Sequence, residues 1–98
     1  MHEITIERLI WDEWNIAHIA RHNVVPEEVE EAIKNRAIFE KGKKGRIRLI
    51  APTQENRMLA IILDSELEEG TYYPVTSRDA SRKEKRAYQE TIGGEKAA

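Results

Sequence analysis

The chain has 98 residues, 40% of them apolar and 35% charged, enough for one modest core and too few for two domains. It has no cysteine, which excludes a disulfide framework, thiolate zinc sites and cysteine nucleophiles, and it has no apolar run near the roughly 18–20 residues of a membrane span. The net charge of −2 is unevenly spread: residues 1–40 hold nine acids against four bases, and residues 41–90 hold eleven bases against eight acids, so one part of the surface suits an anionic ligand.

The N-terminus Met1–Arg8 lacks the basic and apolar regions of a signal peptide, and a soluble cytoplasmic protein with no membrane partner is expected. Alternation in Ile4-Thr5-Ile6-Glu7-Arg8 predicts a strand over about residues 3–10. Asp12 is a good N-cap for a helix from Glu13 to about Arg21, with Trp11 at the staple position relative to Ile16. Pro26 at a first helical position, followed by Glu27 and Glu28, predicts a second helix to about Asn35 with Val29, Ala32 and Ile33 on its inner side.

Four short β-prone runs follow, at Ala37–Glu40, Arg46–Ala51, Arg57–Leu63 and Tyr72–Ser77, separated by glycine, proline and asparagine, and an antiparallel meander is the economical arrangement. Ser81-Arg82-Lys83-Glu84 reads as a capping box opening a last helix, with Ala87, Tyr88 and Ile92 inward. The expected fold is therefore α+β: a small antiparallel sheet with two N-terminal helices and one C-terminal helix, as a single domain over residues 1–92 with residues 93–98 a flexible tail.

The most specific local feature is the run from Thr76 to Tyr88. A strand ends at Arg78 and a capped helix opens with Arg82 and Lys83, so guanidinium forks and free backbone N–H groups stand together where a phosphate oxygen would be held. The alternative is that Arg78 pairs with Asp79 or Glu84 and that Arg82, Lys85 and Arg86 are a solvated helix face. A second basic cluster, Lys41-Gly42-Lys43-Lys44-Gly45-Arg46-Ile47-Arg48, suits a nucleic-acid backbone, or serves as a turn whose lysines discourage edge pairing. His18 and His22 have the i, i+4 spacing of a helical metal pair but no third ligand fixed by the sequence, so no metal and no cofactor is expected. Trp11 and Trp14 are expected to anchor the core or its rim, and Tyr72 and Tyr73 to pack on the sheet.

Two of these segments resemble a known family, the BrnT-type toxins of bacterial type II toxin–antitoxin pairs, whose fold is related to the RelE ribonucleases. Leu9-Ile10-Trp11-Asp12-Glu13-Trp14-Asn15 with Arg21-His22-Asn23-Val24 is similar to the family's opening motif, and Thr76 to Tyr88 is similar to its closing Ser-Ala-Arg, Ala-Thr, basic, Glu-Arg, Tyr pattern. The sequence departs from that pattern at Asn23, where glycine is usual, at Asp79, where a base is common, and at Tyr72-Tyr73-Pro74, where the strand is usually more basic. The resemblance implies a RelE/BrnT-like fold and a metal-independent endoribonuclease that cleaves RNA by 2′-hydroxyl attack. It also implies inhibition by a cognate ribbon-helix-helix antitoxin, with operator DNA met only through the antitoxin complex. Carried over, it makes His22, Arg78, Arg82 and Tyr88 the catalytic candidates; Lys85 and Arg86 on the last helix, with Lys44, Arg46 and Arg48 of the second basic cluster, are the candidate RNA-binding residues. The alternative is a catalytically inactive RNA- or protein-binding module of the same fold. Such cleavage needs neutralised phosphoryl charge and proton transfer; Arg78 and Arg82 suit the first, and an imidazole such as that of His22, ordinarily titrating at about 6.5, suits the second.

Overall fold

The computed structural model describes residues 4–97. Glu3, the first residue of the expected N-terminal strand, and Ala98 at the end of the expected tail lie outside the described residues. The elements are β1 (Arg8–Leu9), α1 (Glu13–Ala20), α2 (Pro26–Ala32), β2 (Ile38–Lys41), a single 3₁₀ turn (Lys43–Gly45), β3 (Ile47–Pro52), β4 (Met58–Ser65), β5 (Thr71–Asp79) and α3 (Arg82–Ala97). They form a small α+β domain in which five strands are ordered β1-β5-β4-β3-β2.

The sheet is mixed, not antiparallel throughout. β2, β3, β4 and β5 make the expected meander, but β1 joins β5 in parallel, with Arg8 opposite Thr71 and Leu9 opposite Tyr72. Alternation at residues 4–7 continues past the reach of that ladder: Ile6 packs against the core, whereas among the described residues of this segment Arg8 and Leu9 alone are paired in the ladder, flanked by bonds from the Glu7 and Ile10 N–H groups. A period-two pattern states which side chains turn inward, and strand length is then set by the neighbour available to accept the hydrogen bonds.

The helices do not share one side of the sheet. Leu49, Ala51, Leu59, Ile61 and Leu63 point to the side covered by α1 and α2, where they meet Ile19, Val24, Val29 and Ala32 in the main core. Ile50 and Ala60 have the opposite parity and pack with Ala80, Ile38, Met58 and Tyr88 beneath α3. Unbroken apolar runs such as Leu49-Ile50-Ala51 are the mark of strands buried on both faces. β5 carries a bulge, since Ile62 faces Thr76 while the next residue, Leu63, faces Pro74, and the extra residue sits beside a proline that has no N–H to give.

Local chemistry sets the helix ends. Asp12 caps α1 by accepting from the Asn15 N–H at 3.0 Å while the Asn15 side chain accepts from the Asp12 N–H at 2.9 Å, and the buried Asn15 amide also donates to the Ile10 carbonyl. α2 begins at Pro26 as expected but ends at Ala32, short of Asn35. α3 opens after Ser81 and runs on through Gly93 and Gly94 to Ala97, into the stretch expected to be a loose tail. Trp11 packs on the core and donates its indole N–H to Glu30 at 2.8 Å, whereas Trp14 is 77% exposed and stands outside both core clusters.

Candidate functional site: an arginine pair on an open sheet face

α3 packs on β2 and β3, over the row Ile38–Ile50–Ala60, which continues to Arg78 on β5. The next row on the same face, Glu40–Arg48–Ile62–Thr76, contributes nothing to that buried cluster, and all four of these side chains keep solvent access. This exposed row is bounded by the first turn of α3 on one side and by the basic β2–β3 connection on the other.

At its centre is Glu84. The Ser81 hydroxyl accepts from the Glu84 N–H at 3.1 Å and Glu84 accepts from the Ser81 N–H at 2.8 Å, which is the capping box read from the sequence. The same carboxylate accepts two hydrogen bonds from the Arg78 guanidinium, at 2.7 and 3.0 Å, and lies 3.3 Å from Arg48. Arg48 also donates to Glu40, directly opposite it in the β2–β3 ladder. The side chain of Glu84 is only 7% exposed, and those of Arg78 and Arg48 are 38% and 36% exposed. One carboxylate therefore holds two guanidinium groups side by side and leaves part of each open to a ligand. The bond from Arg78 is the largest influence holding the Glu84 carboxyl well below its usual range, at about 2, with Ser81 adding to it against the opposing effect of burial. Arg48, Arg78, Ser81, Lys83, Glu40 and Glu84 line a cleft of about 360 Å³ here.

Of the residues singled out from sequence, Arg48 and Arg78 are brought together, and Arg78 makes the pairing with Glu84 that the sequence left open. Arg82, Lys85 and Arg86 are exposed on α3, and among the described residues no carboxylate pairs with them. Arg46 pairs with Asp64 at 3.0 Å, and Lys44 lies in the 3₁₀ turn. Tyr88 belongs to α3 and to the cluster beneath it; its hydroxyl donates to the Arg36 carbonyl at 2.9 Å, and burial raises the phenol above its ordinary value against the influence of Arg36.

His22 stands elsewhere. It lies in the α1–α2 connection on the other face of the sheet, its ring 6.1 Å from that of His18 between centroids. Its backbone carbonyl accepts from Arg57, a residue the sequence reading passed over. Arg57 also donates to the Asn23 carbonyl at 2.7 Å, to Glu28 at 2.9 Å and to Asp79 at 2.8 Å, tying both N-terminal helices to the end of β5. Asp79 thus serves Arg57 on one face while its neighbour Arg78 serves Glu84 on the other.

Glu40 and the organising role of Glu84 were also missed. Glu40 had a signal: a hairpin closed about the Lys43–Gly45 turn sets it opposite Arg48. The link from Arg78 to Glu84 crosses a strand-to-helix corner, for which no simple spacing exists. Among the described residues no cluster of three or more His, Asp or Glu is placed to hold a metal ion, and no helix is long and apolar enough to cross a membrane. Compared with known families and with curated proteins, the chain matches no family model and no curated relative.

Proposed function

We propose that this chain is a toxin of the BrnT type that acts on RNA, with the cleft between α3 and β3 as its phosphate-binding site. The observation that supports this best is the convergence of Arg48 and Arg78 on one buried carboxylate at the edge of an open sheet face, with Lys83 and Ser81 alongside. Two guanidinium groups fixed in this way meet phosphoryl oxygens at little further cost in side-chain entropy. The position where the resemblance expects glycine adds support: Asn23 has φ 58°, a left-handed conformation that glycine and asparagine adopt most readily.

In the proposed reaction a ribose 2′-hydroxyl attacks the adjacent phosphorus, the 5′-oxygen leaves, and a 2′,3′-cyclic phosphate remains. Arg48 and Arg78 would offset charge on the phosphoryl oxygens, and of the other side chains lining the cleft we assign Glu40, once phosphate draws Arg48 from it, to take the 2′-hydroxyl proton and Lys83 to protonate the leaving oxygen. A second reading, RNA binding without cleavage, is favoured by the pairing of Arg48 and Arg78 with carboxylates and by the position of His22 on the opposite face.

The two are separated by incubating the protein with structured and single-stranded RNA in excess EDTA, beside an Arg48→Ala, Arg78→Ala variant. Cleavage by the wild type alone, leaving cyclic phosphate ends, supports the ribonuclease. Salt-dependent binding without product supports the binding module, and the absence of both overturns the assignment to RNA. Growth arrest on expression alone, relieved by co-expression with the neighbouring open reading frame, tests the toxin–antitoxin pairing and its ribbon-helix-helix partner.

A further inference from the structure

The β2–β3 connection is open to two readings, a nucleic-acid contact or edge protection, and its lysines divide between them: Lys41 ends the edge strand β2. Edge protection calls for charges along the outer strand. Lys43 and Lys44 instead lie past the end of β2, in a turn closed by the Gly42 N–H donating to the Arg46 carbonyl at 2.6 Å and the Arg46 N–H donating to the Lys43 carbonyl at 3.1 Å. Lys44 has φ 61° and Gly45 φ 77°, two consecutive left-handed residues that fold the turn back on itself. The result is a second cleft, of about 450 Å³, lined by Lys41, Lys43, Lys44, Arg46 and Arg48 above the half-buried Ile62. Arg48 also lines the cleft at α3, so the two are adjoining depressions with one guanidinium between them.

The charges around this pair of clefts are unequal. Glu40 and Glu84 are engaged by arginines and Asp64 by Arg46, whereas among the described residues no carboxylate pairs with Lys41, Lys43, Lys44 or Lys83. In the cross-strand row that continues from Arg48 stand Ile62, which also floors the second cleft, and Thr76, an aliphatic side chain and a hydroxyl on neighbouring strands about 4.8 Å apart. The unpaired cations suit phosphate oxygens, and the uncharged Ile62–Thr76 stretch suits the less polar face of a base. A single strand can turn its bases to such a floor, whereas a duplex keeps them stacked inside and presents backbone.

We propose that the Lys41–Arg48 segment is a second phosphate subsite, and that with the cleft at α3 it makes this face of the sheet a track for single-stranded RNA. The inference rests on the assignment of the α3 cleft to RNA phosphate, and the experiment separates the two. Fluorescence anisotropy is measured in EDTA with 2′-O-methyl oligoribonucleotides, which cannot undergo 2′-hydroxyl attack: a trinucleotide, a decanucleotide and a duplex of the same length. The proteins are the wild type, Lys43→Gln with Lys44→Gln, and Arg78→Ala; the two lysines are exposed, and circular dichroism checks each fold.

The wild type is expected to bind the decanucleotide tighter than the trinucleotide and tighter than the duplex. The lysine variant is expected to lose about tenfold in decanucleotide affinity, and its slope of log K against log salt to flatten by about 1.4, as two lost single-strand phosphate contacts imply. It should keep the trinucleotide affinity, which Arg78→Ala should lower. A lysine variant that binds the decanucleotide with wild-type affinity and slope overturns the second subsite while leaving the α3 cleft standing. Preference for the duplex overturns the single-strand track, and no binding of any oligomer by the wild type overturns the RNA reading and this one together.

Discussion

Replacing Glu84 by glutamine tests the centre of the site, because it removes the charge and keeps the shape and the acceptor oxygen that caps α3. In the folded protein this carboxyl is held at about 2 against an ordinary 4.5, chiefly by the Arg78 guanidinium. A group whose folded value is depressed contributes stability above its unfolded value, and loses it as pH falls towards the folded one. At 1.36 kcal/mol per unit, the depression corresponds to about 3 kcal/mol of stability at neutral pH, lost progressively between about pH 5 and pH 2. That is a large part of the roughly 5–15 kcal/mol that holds a small domain together. Urea unfolding of wild type and Glu84→Gln across that range isolates the contribution, since the other carboxylates titrate in both proteins. The wild type is expected to exceed the variant by about 3 kcal/mol more at pH 7 than at pH 2. A difference that stays constant with pH would refute the account, because the carboxylate would then act through packing and capping alone and its bonds to Arg78 would add nothing to stability.

Two further substitutions test the frame that holds the site. Arg57→Met keeps most of the aliphatic stem but strands the His22 and Asn23 carbonyls, Glu28 and Asp79 without their shared donor; it should lower unfolding free energy by about 2–3 kcal/mol and speed hydrogen exchange in the α1–α2 connection, and a loss of under about 0.5 kcal/mol would show that solvent replaces those bonds freely. Ser77 is fully buried on the main-core side of β5 and among the described residues its hydroxyl has no hydrogen-bond partner, so Ser77→Ala should stabilise the fold by about 1 kcal/mol and raise Tm by about 4–8 °C, with a fall in Tm in a calorimetric scan arguing against an unsatisfied hydroxyl.

The amino-acid sequence by itself determined the features whose causes are local. Asp12 and Ser81 open helices because a side-chain oxygen can reach an orphan N–H two or three residues on, and Pro26 starts α2 because its ring fixes φ and its missing N–H costs nothing there. The four-strand meander was legible for a similar reason, as each strand is bounded by turn residues close in sequence. Tertiary structure alone decided what depends on partners far along the chain. Arg8 and Leu9 became a strand because the edge of β5, some sixty residues later, was there to accept them. The two sides of the sheet took different helices because β3 and β4 are apolar at both parities, and either covering satisfies the same pattern until the connections are traced. The site follows the same division: the abundance of arginine near residues 78–86 is visible in the string of letters, but the net field a ligand meets is not. Coulomb energy falls with distance through space, so the effective charge of Arg78 depends on Glu84 folding back across the β5–α3 corner, and that of Arg48 on Glu40 across the hairpin. The basic turn at Lys43 and Lys44 is left unneutralised because, among the described residues, no carboxylate pairs with it.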